Sequence, residues 1–129
     1  MAFLASALGF GSLLAAARLV KPMPAEGLVV HNYYYAKQGL ADSVYHVRLT
    51  ASVIRGRLGL VRGRVLHRIG GADSLPDVIW EAEYPDSVAR QRDVEALEGN
   101  AEFEAIQRTM SGLIRRFERA TWRVAAEPR

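Results

Sequence analysis

The stretch VVHNYYYAKQG, residues 29–39, brings a histidine, an asparagine and three consecutive tyrosines into one run. The amide of Asn32 can donate a hydrogen bond to a bound carbonyl or enolate, or to an oxygen derived from dioxygen. Buried without such a ligand, it needs partners in the sheet or at an interface. Tyr34 can orient a phenolic substrate or simply pack. His67 carries the titratable imidazole of a candidate general base. Asn32, Tyr34 and His67 are therefore the candidate catalytic residues. Val30, Trp80 and Tyr84 are the candidate ligand contacts, with Trp80 offering a flat wall to an aromatic molecule.

Other chemistries find less support. There is no cysteine, which excludes disulfides, thiolate metal sites and a cysteine nucleophile. His31, His46 and His67 show neither H-x-H nor H-x3-H spacing, so no metal site is expected. Neither a Ser-His-Asp signature nor a P-loop nor a dinucleotide-binding glycine pattern is present. No cofactor is expected. Glu81 and Glu83 alternate with Trp80 and are expected to pair across strands with Arg64 or Arg68.

The net charge of +3 hides an asymmetry. Residues 18–68 hold nine Lys and Arg against two acids, and residues 69–129 hold eight Arg against twelve acids. Complementary charge within one fold or one dimer accounts for this. The basic run RGRLGLVRGRVLHR lacks the interleaved aromatics of a nucleic-acid stacking platform, so no nucleic-acid partner is expected.

The elements that must position these residues follow from periodicity. LVVHNYYYA (28–36), rich in β-branched and aromatic residues and followed by Lys37-Gln38-Gly39, reads as a first strand. Leu40, Val44, Val47, Ala51, Ile54 and Leu58 recur at helical steps, with Tyr45, Arg48, Ser52 and Arg55 on other faces. Residues 60–70 alternate as a second strand, and VIWEAEY (78–84) as a third. Pro85-Asp86-Ser87 starts a weakly amphipathic helix to residue 98, and Gly99-Asn100 breaks it. Phe103, Ile106, Met110, Leu113 and Phe117 form the clearest helical stripe, which places Phe117 in the core with Val30. RATWRVA (119–125) alternates as a last strand.

This order, β-α-β-β-(α)α-β, is the split βαβ pattern of the ferredoxin-like fold, an α+β arrangement with helices on one face of an antiparallel sheet. The expected strand order is 4-1-3-2. Alternation sets Val30, Asn32 and Tyr34 on one face of the first strand, and Val29, His31, Tyr33 and Tyr35 on the other. One set is expected under the helices and the other toward a cavity. A one-residue register slip would exchange them.

Residues 1–22, MAFLASALGFGSLLAAARLVKP, are set apart from a single domain at 23–129. They are rich in Ala, Leu and Gly and uncharged until Arg18. They read as a flexible or mis-started extension ahead of Met23, as a signal segment, or as a helical appendage. The run is short for a membrane span, so membrane association is not expected. The expected location is cytoplasmic, with export the alternative if residues 1–22 act as a signal.

On the first strand leading to Gly39 and on WEAEYPDSVARQ, the chain resembles the dimeric α+β barrel superfamily over about residues 28–125. That superfamily includes the antibiotic-biosynthesis monooxygenases, haem-degrading monooxygenases and small stress-related proteins. The resemblance implies a homodimer whose facing sheets enclose a small-molecule pocket. Asn32 stands seven residues before Gly39, as a first-strand asparagine does in the haem-degrading members, and this match points Val30, Asn32 and Tyr34 inward. Those members also use a Trp and a His on later helices, and residues 87–118 contain neither. Haem degradation by their mechanism is therefore not expected. The resemblance implies a pocket for an aromatic or polyketide-like molecule in a cofactor-independent monooxygenase. Its alternatives are a non-catalytic ligand-binding or stress-related dimer, and a purely structural dimer.

Overall fold

The computed structural model describes residues 27–126. The readings made for residues 1–22 lie outside the described residues. The elements are β1 (Leu28–Ala36), α1 (Ala41–Arg57), β2 (Arg64–His67), β3 (Val78–Tyr84), α2 (Ser87–Leu97), α3 (Ala101–Leu113) and β4 (Ile114–Arg123). The four strands form one sheet in the order β2-β3-β1-β4, all neighbours antiparallel. This is the ferredoxin-like α+β fold, with the strand order expected from the sequence. Among the described residues no helix is long and apolar enough to cross a membrane.

Strand β1 sits at the centre because its residues suit both faces. Val30, Asn32 and Tyr34 are buried, and alternate with the half-buried Val29, His31 and Tyr33. Val30, Tyr34, Val78, Trp80, Ala82 and Tyr84 join Val44 of α1 and Met110 of α3 in the main core. A second cluster, of Ala51, Ile54, Leu97 and Phe103, ties the three helices together. The helices thus cover the face that carries Val30 and Trp80. On the opposite, open face lie His31, Tyr33, Glu81 and Trp122.

Local chemistry explains the boundaries. Asp86 caps α2 by accepting from the Ala89 N–H at 2.8 Å, and Asn100 caps α3 by accepting from Phe103 N–H at 2.9 Å. Helix α3 ends earlier than its stripe predicted. The Lys37 N–H donates to the carbonyl of Leu113 and Lys37 Nζ to that of Gly112, each at 2.9 Å, closing two of the terminal acceptors. From Ile114 the chain pairs with β1 along its whole length, with a bulge at Tyr35/Ala36. Phe117 therefore belongs to a strand, is 42% exposed and is not a core residue. Residues 114–117 fit a helical stripe and a strand alternation equally, and covering the free edge of β1 decides for the strand.

Strand β2 is shorter than the alternation over 60–70. Gly63 takes a φ of 71°, and a Cβ there would lie 2.4 Å from Trp80 Nε1 and 2.7 Å from the Glu81 carbonyl oxygen. The chain passes this close because the indole N–H donates to the Arg62 carbonyl at 3.0 Å. Residues 60–63 seat the end of α1 and Trp80 rather than extend the sheet.

Candidate functional site

Between the helices and the covered face of the sheet lies a cavity of about 650 Å³. That size is within the ~300–1,000 Å³ range of small-molecule sites. Val30, Asn32 and Tyr34 of β1 and Trp80 and Tyr84 of β3 line it from the sheet. Arg48 and Arg55 line it from α1, Phe103 and Met110 from α3, and Phe117 and Arg119 from β4. The face under the helices and the face toward the cavity are therefore one face. Opposite sides of β1 were expected for the helices and the cavity; this cavity lies instead on the helix-covered side, within one protomer.

Five of the six candidate residues meet at this cavity. Asn32 is buried, and its Oδ1 accepts from Arg119 Nε at 2.7 Å. That bond fixes the amide orientation and turns Nδ2 toward the Tyr34 hydroxyl, 3.5 Å away. Burial pushes the Tyr84 phenol above its ordinary value, and the negative Asp93 adds to the rise. The sixth candidate, His67, is not among the cavity-lining residues. It stands on edge strand β2, stacked on Tyr45 at 4.6 Å with Nε2 3.6 Å from Asp42 Oδ1. The register places it opposite Val78, two residues beyond the Val65–Trp80 pair and away from the cavity floor.

The sequence reading missed three ionisable residues that the fold buries here: Arg48, Arg55 and Asp93. Arg55 Nη1 donates to Asp93 Oδ1 at 2.6 Å and to the Val61 carbonyl at 3.1 Å. The other Asp93 oxygen accepts from Val61 N–H at 3.3 Å. Arg48 has no such carboxylate. Its Nη2 donates to Ser52 Oγ at a long 3.4 Å, and its Nε has no hydrogen-bond partner. Both guanidiniums lie over Trp80, at 4.9 Å for Arg48 and 4.5 Å for Arg55. Burial pushes Arg48 below its ordinary value, the Tyr34 oxygen opposes this, and the neighbouring Arg55 adds to the lowering. A signal for these residues was present. Val44, Arg48, Ala51 and Arg55 recur at steps of four and three, so the arginines continue the buried stripe.

Of the cross-strand pairs expected for Glu81 and Glu83, the one between Glu81 and Arg64 forms on the open face. Glu81 Oε1 accepts from Arg64 Nε at 3.1 Å, and Oε2 pairs with His31 Nε2 at 2.8 Å. Arg68 pairs instead with Asp77, at 3.2 Å. Among the described residues no group of three His, Cys, Asp or Glu could hold a metal ion.

No family model matches the sequence, and no curated protein is similar to it by sequence. Solved structures are similar in fold. An uncharacterized NIPSNAP domain protein from Burkholderia xenovorans superposes with a TM-score of 0.62 at 18% identity, over 77% of this chain and 95% of that one. SnoaB, a cofactor-independent oxygenase from Streptomyces nogalater, gives 0.57 at 18% identity, over 81% and 97%. A dimeric protein of unknown function and ferredoxin-like fold from Bacteroides fragilis gives 0.58 at 9% identity, over 76% and 96%. At these identities the likeness is one of fold, and it accords with the ferredoxin-like fold expected from the sequence.

Proposed function

We propose that the chain forms a homodimer through the open face of its sheet. Within each protomer, the cavity binds a small aromatic or polyketide-like molecule. The observation that carries this reading is the cavity itself. A space of about 650 Å³ is walled by Trp80, Tyr34, Phe103 and Phe117, with the Asn32 amide and Tyr34 hydroxyl converging on it. Aromatic walls with a few placed polar groups are the usual make-up of a ligand site. The dimer is supported by Trp122 and Leu66, which are 52% and 40% exposed on the open face. The dimeric neighbour of the same fold supports it too.

The activity proposed is cofactor-independent monooxygenation of an enolisable aromatic substrate. Asn32 Nδ2 and the Tyr34 hydroxyl would hold the substrate oxygen as the enolate forms and reacts with dioxygen. In a test with 1,8-dihydroxyanthrone, the methylene becomes a ketone. One oxygen atom enters the product and the other leaves as water with the two hydrogens removed. Oxygen uptake and anthraquinone absorbance should rise together above the uncatalysed rate, and Asn32→Ala should reduce that rise about 10²-fold or more, as loss of a donor to a developing oxyanion does. An uncatalysed rate unchanged by the protein would remove the catalytic reading. The second reading, a non-catalytic ligand-binding or stress-related dimer, is favoured by the position of His67 away from the cavity, which leaves no imidazole to serve as base there. Native mass spectrometry of the protein purified from its cell separates these from the structural dimer. A dimer carrying extra non-covalent mass supports binding, a bare dimer favours a structural role, and a monomer removes the homodimer.

A further inference from the structure

We infer that the cavity selects aromatic molecules carrying a negative charge, and that Arg48 is the residue that recognises it. This inference rests on the proposal that the cavity binds an aromatic molecule, and names the class. It begins from charge. Arg55 and Asp93 neutralise one another inside the helix layer. Arg48, 5% exposed, adds a second positive charge with no carboxylate among the described residues to match it. The two glutamates bordering the cavity, Glu98 and Glu104, face water.

A guanidinium taken out of water without a counter-ion gives up hydration that only an opposite charge and well-placed acceptors restore. The contact with Trp80, the neighbouring Tyr34 hydroxyl and the long 3.4 Å bond to Ser52 return part of that cost, and none of them carries a full negative charge. The remainder is what an anion in the cavity would offset. The hydrogen-bonding inventory points the same way. Arg48 lines the cavity, where its terminal Nη groups are the donors that can face a ligand, and Asn32 Oδ1 is already taken by Arg119, so that side chain offers its N–H groups. Arg48 and Asn32 present donors and no free acceptor, which fits a carboxylate, phenolate, enolate or sulfonate. Arg48 lies over Trp80, so a charge beside the guanidinium leaves the attached rings against Trp80, Phe103 and Met110.

Two fluorophores that share an anilinonaphthalene body test this on the full chain. 1-Anilinonaphthalene-8-sulfonate carries a sulfonate, and N-phenyl-1-naphthylamine has none. The wild-type protein should bind the sulfonate probe roughly tenfold or more tighter than the neutral one, the size of one hydrogen bond to a charged group. Arg48→Gln should weaken the sulfonate probe by about the same factor and leave the neutral probe within about twofold. Arg48→Lys should recover part of the loss. Equal affinities in the wild type, a comparison that needs no variant, would overturn the charge selection while the aromatic cavity stands. So would an Arg48→Gln protein, folded by circular dichroism, that keeps its sulfonate affinity. Binding of neither probe would overturn both the selection and the proposed binding function.

Discussion

On the open face of the sheet, Glu81 receives Arg64 from β2 and His31 from β1, and every member of the row also meets water. One residue earlier on β3, Trp80 lies on the covered face beneath two guanidiniums, only one of which has a carboxylate. The same strands build both faces, yet charge is matched where hydration would have made a mismatch cheap. It is left unmatched where a mismatch is costly. A face under selection for stability alone would show the reverse. The contrast is the one that the proposed ligand site on the covered face and the proposed contact surface on the open face require.

The comparison breaks most sharply at β1. Val30, 2% exposed, touches the main core, whereas Phe117, also on the covered side, is 42% exposed. Val30→Asp should lower stability by on the order of 5 kcal/mol, a large share of the ~5–15 kcal/mol of a typical domain, since a carboxyl there must lose its hydration or take up a proton. Phe117→Asp should fold and lose about 1–2 kcal/mol, since the ring is part exposed and packs only edge-on against Tyr34. Thermal melts followed by circular dichroism check the pair. Similar melting of the two variants would mean that the covered face is not one continuous core.

Next in size is the buried ion pair. Asp93→Ala leaves Arg55 unpaired beside Arg48 and strips the Val61 N–H of its acceptor. The expected loss is about 3–5 kcal/mol, read from urea unfolding. A loss below about 1 kcal/mol would show that the helix layer admits water freely, and would weaken the charge argument for Arg48 as well.

These residues also show what the sequence made legible. Period-two alternation alone put Val30, Asn32 and Tyr34 together and set Trp80 and Tyr84 on one side of β3, because strand geometry translates directly into faces. The element order led to the sheet order through the split βαβ pattern, whose usual strand order is 4-1-3-2. Arg48, Arg55 and Asp93 were missed because charge ordinarily marks the solvated side of a helix. Only packing against Trp80 and Val61 reverses that assignment. The end of α3 was misread because its last turn is closed by Lys37, about 75 residues away in the chain, which no local pattern contains. His67 was drawn toward the site by its chemistry, and the short β2 leaves it stacked on Tyr45 at the edge.

On the open face the expected effects are smaller and fall on assembly. Trp122→Arg places a cation beside His31 on the surface proposed to meet a second copy. The protomer should stay folded, and the dimer should weaken about tenfold or more, as truncating an aromatic anchor at an interface does. Sedimentation velocity over a concentration series measures this. An unchanged dimer would move the interface away from the open face.

The smallest effect separates the faces by pH. Hydrogen bonds from Arg64, and then from His31, hold the Glu81 carboxyl below the usual 4.5, against a modest opposing effect of burial. A carboxyl whose folded-state value is depressed binds fewer protons folded than unfolded. It therefore stabilises the protein above the ordinary carboxylate range, and that contribution disappears as pH falls through the folded value. Melting temperature measured from pH 7 to pH 3 should thus show wild type above Glu81→Gln at neutral pH, with the two curves converging below about 4.5. The covered face should add nothing to that convergence through Arg48, which stays charged across the whole interval. A gap between wild type and Glu81→Gln that persists at pH 3 would mean that Glu81 acts through packing or through the dimer rather than through its charge.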